Sequence, residues 1–138
     1  MREIESRLRM VGEVSSPLTD PAQAPKQGDE GAPEAWIILD DEVGEAVGGI
    51  EPGAEMIVIT WLDRADREVL SVHPRGDVSR PPLGVFATRS PARPNPIGLH
   101  RVQIREIDGS RLRVAGLEAV DGTPVLDLKP VLGGISER

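Results

Sequence analysis

The residues best equipped for chemistry lie in one stretch, Thr88–Leu99, which reads T-R-S-P-A-R-P-N-P-I-G-L. Arg89 and Arg93 offer planar cationic forks that match a carboxylate or a phosphate. Asn95 brings both a donor and an acceptor, and Ser90 a hydroxyl. Pro91, Pro94 and Pro96 fix φ, so the carbonyls and amides between them point in set directions. Gly98 allows close approach or a positive φ. Such a loop is preorganised for a small polar ligand, which lowers the ordering cost of association. The same residues also suit a proline-rich corner between strands, and residue chemistry alone leaves the two readings level.

A second constellation is Asp121–Pro130, D-G-T-P-V-L-D-L-K-P. Asp121-Gly122-Thr123-Pro124 is a turn by residue type. Asp127 and Lys129 are two apart on the strand that follows, so they share a face. They form either an exposed ion pair or one wall of a site shared with the Thr88–Leu99 loop. Periodicity does not choose between the two. His73 and His100 are far apart and the chain has no cysteine, a pattern that argues against a transition-metal site. His100, just past the proline-rich motif, is a candidate for a substrate contact or a plain strand residue, and Arg75 is either a surface arginine or a phosphate contact.

Strands must position these residues. Glu55–Leu62 is an apolar, β-branched run that predicts a central strand. Val69–His73 predicts another, joined to it through a hairpin loop at Asp63–Glu68. Val102–Ile107 and Arg111–Leu117 alternate around Asp108-Gly109, a strong hairpin signal. Val125–Leu128 follows the Asp121-Gly122 turn, while Arg9–Val14 and Ala35–Leu39 are weaker strands. Within the proline-dense segment Pro74–Pro96 only Gly84–Thr88 has strand character. Ile4–Met10 has the pattern of a helical turn or two, and Asp40–Val47 that of a short helix cut off by glycines. Short strands separated by Gly/Pro turns predict an all-β fold, a sandwich or barrel. Ser15–Pro33, poor in apolar period, reads as a long loop, of a kind that is either functional or disordered.

The chain has 138 residues, and that length suits one domain over 1–138. The absence of cysteine excludes a disulfide scaffold and a cysteine nucleophile. No apolar run reaches the ~18 residues of a membrane span, and MREIESRLRM lacks a secretory signal's apolar core. A cytoplasmic protein with no membrane partner is therefore the expectation. The formal net charge of −7 divides unevenly. Residues 1–72 balance at −10, residues 73–138 at +3, and six arginines stand between His73 and Arg105 against one acid, Asp77. Steering depends on the local field, so the net sum does not exclude an anionic partner.

Gly84–Leu99 (GVFATRSPARPNPIGL) followed by Asp121–Pro130 (DGTPVLDLKP) closely resembles the TsaA-like family, also called the TrmO family. Val11–Leu18 resembles its opening strand and Ser-Pro corner, Pro25-Lys26-Gln27 its Pro-Arg-Gln element with Lys for Arg, and Pro74-Arg75 the end of its Pro-Pro-Arg element. The resemblance implies a small single-sheet β-barrel, a homodimer, and an S-adenosyl-L-methionine-dependent methyltransferase. The family's best-known reaction is N6-methylation of threonylcarbamoyladenosine beside the anticodon of tRNA. The resemblance also implies cofactor contacts from Gln27, Arg89, Ser90, Arg93, Asn95, Pro96, Ile97, Thr123 and Leu126. Asp127 is read as the base or polar orienter, Lys129 as the group that sets its charge or holds an anionic substrate group, and Arg75 and His100 as substrate contacts. No G-x-G-x-x-G fingerprint supports a Rossmann cofactor site.

Some positions depart from the family. The central strand lacks its usual histidine, Val131 follows Lys-Pro where an aromatic is usual, and Ala92 replaces a bulky residue. With Trp36, Trp61 and Phe86 as its only aromatics, the chain has few platforms for stacking bases. Two other readings share the cofactor pocket: a methyltransferase of small molecules, and a non-enzymatic module that binds the cofactor or a related nucleoside.

Overall fold

A computed structural model describes residues 1–27 and 29–133. Position 28, inside the expected long loop, and positions 134–138, at the end of the expected domain, lie outside the described residues. Eight strands are present: β1 (Gly12–Ser15), β2 (Ala35–Leu39), β3 (Glu55–Trp61), β4 (Ser71–Val72), β5 (Leu83–Gly84), β6 (Ile97–Asp108), β7 (Arg111–Ala115) and β8 (Pro124–Pro130). Six of them close a barrel in the order β1-β2-β7-β6-β3-β8, every neighbour antiparallel, with β8 returning to β1. Closure leaves no long open edge for another chain to pair with. β4 and β5 form a separate two-stranded ribbon.

Period-two alternation builds the interior. Met56, Val58 and Thr60 of β3, Val102 and Ile104 of β6, Leu112 and Val114 of β7, and Ile37 of β2 are buried, while their sequence neighbours turn outward. Two glycines let backbones and side chains approach closely. A Cβ on Gly12 would overlap the carbonyl oxygen of Ile38 and lie 2.9 Å from Leu39 Cα across the β1–β2 pair. A Cβ on Gly98 would overlap Thr60 Oγ1 and stand 2.6 Å from His100 Nε2.

The all-β barrel matches the expectation, and the β6–β7 hairpin turns at Asp108-Gly109 with Gly109 at φ 62°. Other details differ. Ile4–Met10 is exposed and carries no helix, because its apolar residues meet no packing surface and a short isolated helix is marginal in water. Asp41–Val47 forms a 3₁₀ helix. The Val69–His73 strand shrinks to Ser71–Val72 and pairs with β5, while β3 pairs with β6 and β8. Gly84–Thr88 becomes the end of β5 followed by a 3₁₀ turn at Val85–Ala87. β6 starts at Ile97, five residues before the alternation is evident, since Gly98 and His100 are buried polar or small positions that do not read as core.

Candidate functional site

Four loops at one rim of the barrel enclose a cavity of about 340 Å³, within the usual size range of small-ligand sites. Its walls come from the long loop (Pro21, Ala24–Gln27), the β3–β4 connection (Leu62–Ala65), the proline-rich segment with the start of β6 (Arg89, Pro91–Arg93, Ile97–His100), and the β7–β8 connection (Glu118–Val120, Thr123). Lys26, Arg64, Arg89 and Arg93 supply positive charge to this lining, and Asp63 and Glu118 negative charge. Pro21, Ala24, Leu62, Pro91, Leu99 and Val120 supply apolar surface.

The proline-rich segment is held by polar clamps. Arg93 Nη2 donates to the carbonyls of Val85 and Thr88 (the latter at 2.8 Å), and its backbone N–H donates to Asp66 O at 3.0 Å. Arg67 Nε donates to Pro94 O at 2.7 Å and Arg67 Nη2 to Asn95 Oδ1 at 3.0 Å, while its guanidinium lies 5.3 Å from the centroid of Trp61. Leu62 N–H donates to Pro96 O at 2.8 Å. Prolines that lack donors are thus anchored through their carbonyls.

The Ser-Pro corner is tied to the Asp-Gly-Thr-Pro turn. Asp121 Oδ1 accepts from Ser16 N at 3.0 Å, Asp121 N donates to Leu18 O at 2.6 Å, and Gly122 N to Val14 O at 2.7 Å. Buried Thr123 donates through Oγ1 to Val120 O at 2.7 Å.

A buried polar column stands under the cavity. His100, only 5% exposed, meets Glu118 Oε1 through Nδ1 at 2.6 Å and Thr60 Oγ1 through Nε2 at 2.6 Å. Thr60 is fully buried, and it faces Gly98 across the β3–β6 pair.

Of the residues singled out from sequence, Gln27, Arg89, Arg93, Ile97, His100 and Thr123 line the cavity. Ser90, Asn95, Pro96 and Leu126 do not. Asn95 serves the Arg67 clamp, Pro96 is buried behind the wall, and Ser90 N–H closes a small turn onto Thr88 Oγ1. Leu126 falls where the β3–β8 register slips between Ile59 and Thr60, and such a bulge re-aims the side chain.

The reading that Asp127 and Lys129 share a wall with the proline-rich loop is corrected. Both project outward from β8 and pair with each other at 3.3 Å. Asp127 borders a different concavity, of about 610 Å³, beside the 3₁₀ helix at Asp41–Val47. Neither residue lines the rim cavity, because β8 lies beyond β3 from the β6 residues Ile97 and Leu99 that do. Arg75 is likewise committed elsewhere, making a two-pronged pair with Glu30 at 2.7 and 3.2 Å. Hydrogen bonding to Arg75 holds the Glu30 carboxyl below its usual range, and the same contact raises Arg75.

Lys26, Arg64, Thr60 and Glu118 went unassigned from sequence. Glu118 and His100 are 18 residues apart, a spacing with no periodic signature.

The family described as tRNA-methyltransferase O N-terminal domain matches residues 13–135. The chain belongs to this TrmO family. A "Probable S-adenosyl-L-methionine-binding protein" of Methanothermobacter thermautotrophicus is 47% identical over 130 residues, covering 94% of this chain and 93% of that protein. An "S-adenosyl-L-methionine-binding protein" of Archaeoglobus fulgidus is 43% identical over 122 residues, covering 88% of this chain and 86% of its own. The crystal structure of TrmO from Pseudomonas aeruginosa superposes with a TM-score of 0.72 at 29% identity, covering 94% of this chain and 57% of that one. This chain therefore spans a little over half the length of that TrmO structure. The TrmO match takes in every wall of the cavity and all six barrel strands except the first residue of β1. Among the described residues no helix is long and apolar enough to cross a membrane.

Proposed function

We propose that the protein is an S-adenosyl-L-methionine-dependent methyltransferase, a single barrel domain over 1–138 working in the cytoplasm. In this reading the rim cavity is its cofactor site, and the preferred substrate is N6 of threonylcarbamoyladenosine beside the anticodon of tRNA. The observation that carries the reading is the cavity lining. It brings both family motifs together with the cationic, anionic and apolar groups that a sulfonium amino acid joined to a nucleoside requires. Arg89, Lys26 and Arg64 suit the methionine carboxylate, the apolar walls suit the adenosine, and Gln27 from the long loop and Thr123 from the β7–β8 connection offer polar contacts.

When bound, the cofactor supplies an electrophilic methyl group. The chain's own part is placement: an in-line displacement needs its nucleophile about 3–3.5 Å from the reacting carbon. The clamps on Pro94, Asn95, Val85 and Thr88 hold that wall still.

The homodimer has a natural face in this reading. Ile57, Ile59 and Trp61 of β3 stand opposite Arg101, Leu99 and Ile97 of β6 on the outside of the barrel. Ile97 and Leu99 are 43% and 47% exposed. Asp127 and Lys129, opposite Ile59 and Ile57 on β8, border that face, so in the dimer they belong to the interface.

One observation favours a small-molecule substrate as the second reading. Of the six arginines between His73 and Arg105, four are paired with acids: Arg75 with Glu30, Arg80 with Asp77, Arg101 with Glu55 and Arg105 with Glu34. Pairing of this kind spends the local excess that would attract phosphates. The deciding experiment is transfer of labelled methyl from the cofactor to total tRNA of a strain lacking this protein. Incorporation into threonine tRNA supports the first reading. Cofactor binding with no incorporation overturns it in favour of the second.

A further inference from the structure

The polar column under the cavity has an unusual order. In hydrolytic triads the carboxylate is the remote member and a hydroxyl faces the substrate. Here the hydroxyl of Thr60 is fully buried, and His100 and Glu118 both border the cavity, with the Glu118 side chain the more exposed of the two, at 16% against 5%. A buried or half-buried charge is retained only where hydrogen bonds or an opposite charge stabilise it.

The hydrogen-bond roles follow from what each atom can do. Carboxylate oxygen accepts, so His100 Nδ1 carries the proton and donates to Glu118 Oε1. With the ring neutral, Nε2 is the lone-pair nitrogen, and Thr60 Oγ1 donates to it. In that tautomer the imidazole orients the carboxylate without cancelling its charge. Glu118 Oε1 is occupied, and among the described residues its second oxygen has no hydrogen-bond partner. Gly98 is the residue that makes room for the Thr60–His100 contact, since any Cβ there would collide with both side chains. Asp63, the other acid of the lining, is exposed on its loop and therefore more screened by solvent. The cations of the lining, Lys26, Arg64, Arg89 and Arg93, come from the other three walls.

Resting on the cofactor site proposed above, we infer that Glu118, oriented by His100 and Thr60, is the charge-selecting residue of the cavity: its carboxylate faces the sulfonium cation of the methyl donor. Methyl transfer moves the C–S bonding pair onto sulfur, so the product is a neutral thioether that this carboxylate holds no more tightly than water does. The site thereby separates donor from spent product by charge rather than by shape. Glu118 is a binding residue, and His100 and Thr60 are positioning residues.

The test is isothermal titration of the wild-type protein and of Glu118→Gln with S-adenosylmethionine and, separately, S-adenosylhomocysteine, with thermal unfolding as a check of fold. The variant is expected to weaken the sulfonium roughly tenfold while the thioether stays within about twofold, a difference set by one charge–charge contact in a partly dry site. Equal weakening of both ligands, or of neither, overturns the inference. Should wild type bind neither ligand, the cofactor site itself fails, which is a separate result. A reading that needs no variant comes from the ring nitrogens of His100 by NMR. The Nδ1–H tautomer is expected, with its resonance moving on addition of the sulfonium and not of the thioether. An Nε2–H tautomer, a doubly protonated ring, or equal movement with both ligands overturns the inference.

Discussion

Arg67 Nη2 donates to Asn95 Oδ1 across 3.0 Å, and the same guanidinium reaches Pro94 O at 2.7 Å. This one side chain couples the β3–β4 connection to the middle of the proline-rich motif. Both segments are walls of the cavity. A motif residue that sequence chemistry reads as a ligand contact is therefore a structural acceptor.

Replacing Arg67 by Ala is expected to loosen the motif wall without touching the cavity lining. Cofactor affinity should fall several-fold, because ordering the loop becomes part of the binding cost. Titration calorimetry gives the affinity, and amide exchange at Ala92–Asn95 should quicken in the variant. Unchanged exchange would show that the prolines alone hold the wall.

Arg93→Met keeps much of the side chain's bulk and removes its donors to the Val85 and Thr88 carbonyls. Hydrogen bonds from a charged group contribute about 1.5–3 kcal/mol each, and a part-buried site recovers some of that loss through water. A loss of about 2–4 kcal/mol is expected, read from urea unfolding midpoints at constant slope.

Gly98→Ala inserts a methyl where Thr60 Oγ1 and His100 Nε2 already meet. Overpacking of this kind costs about 1–3 kcal/mol. Gly98→Ala combined with Thr60→Ser, which trims a methyl but keeps the colliding oxygen, should not recover that stability, whereas Gly98→Ala with Thr60→Ala should recover part of it. Thermal unfolding of the three variants checks the order.

The Glu30–Arg75 pair carries a pH dependence of definite sign. Glu30 is depressed when folded, so the contact's stabilisation is present above the ordinary carboxylate pKa and is lost as pH falls through the lower folded value. Both side chains are solvent-exposed, so global stability should barely respond while the long loop does. Side-chain NMR of Glu30 across an acid titration should show the depressed midpoint, and Arg75→Gln should return it to the ordinary range.

Much of the barrel was readable in advance because its strands obey period two. Met56, Val58 and Thr60 face inward between outward Ile57, Ile59 and Trp61, and Asp108-Gly109 marks its own hairpin. The motif loop was readable as a preorganised wall because proline states its φ directly. Partner choice was not. Nothing in the residue types of Arg75 and Glu30, 45 apart, or of His100 and Glu118, says that they meet. Alternation puts Asp127 and Lys129 on one strand face, but how far that face lies from the cavity depends on barrel closure and on the bulge at Leu126, both of them long-range properties.

If the rim cavity holds the cofactor, its walls must respond when the cofactor binds. The most direct measurement is the map of backbone amide shifts on titration of the ¹⁵N-labelled protein with S-adenosylmethionine. Saturating shifts concentrated at Gln27, Leu62–Ala65, Arg89–Arg93 and Glu118–Thr123 are predicted. Shifts concentrated instead around Val47 and Asp127, or no saturable shifts at all, would contradict that placement of the cofactor.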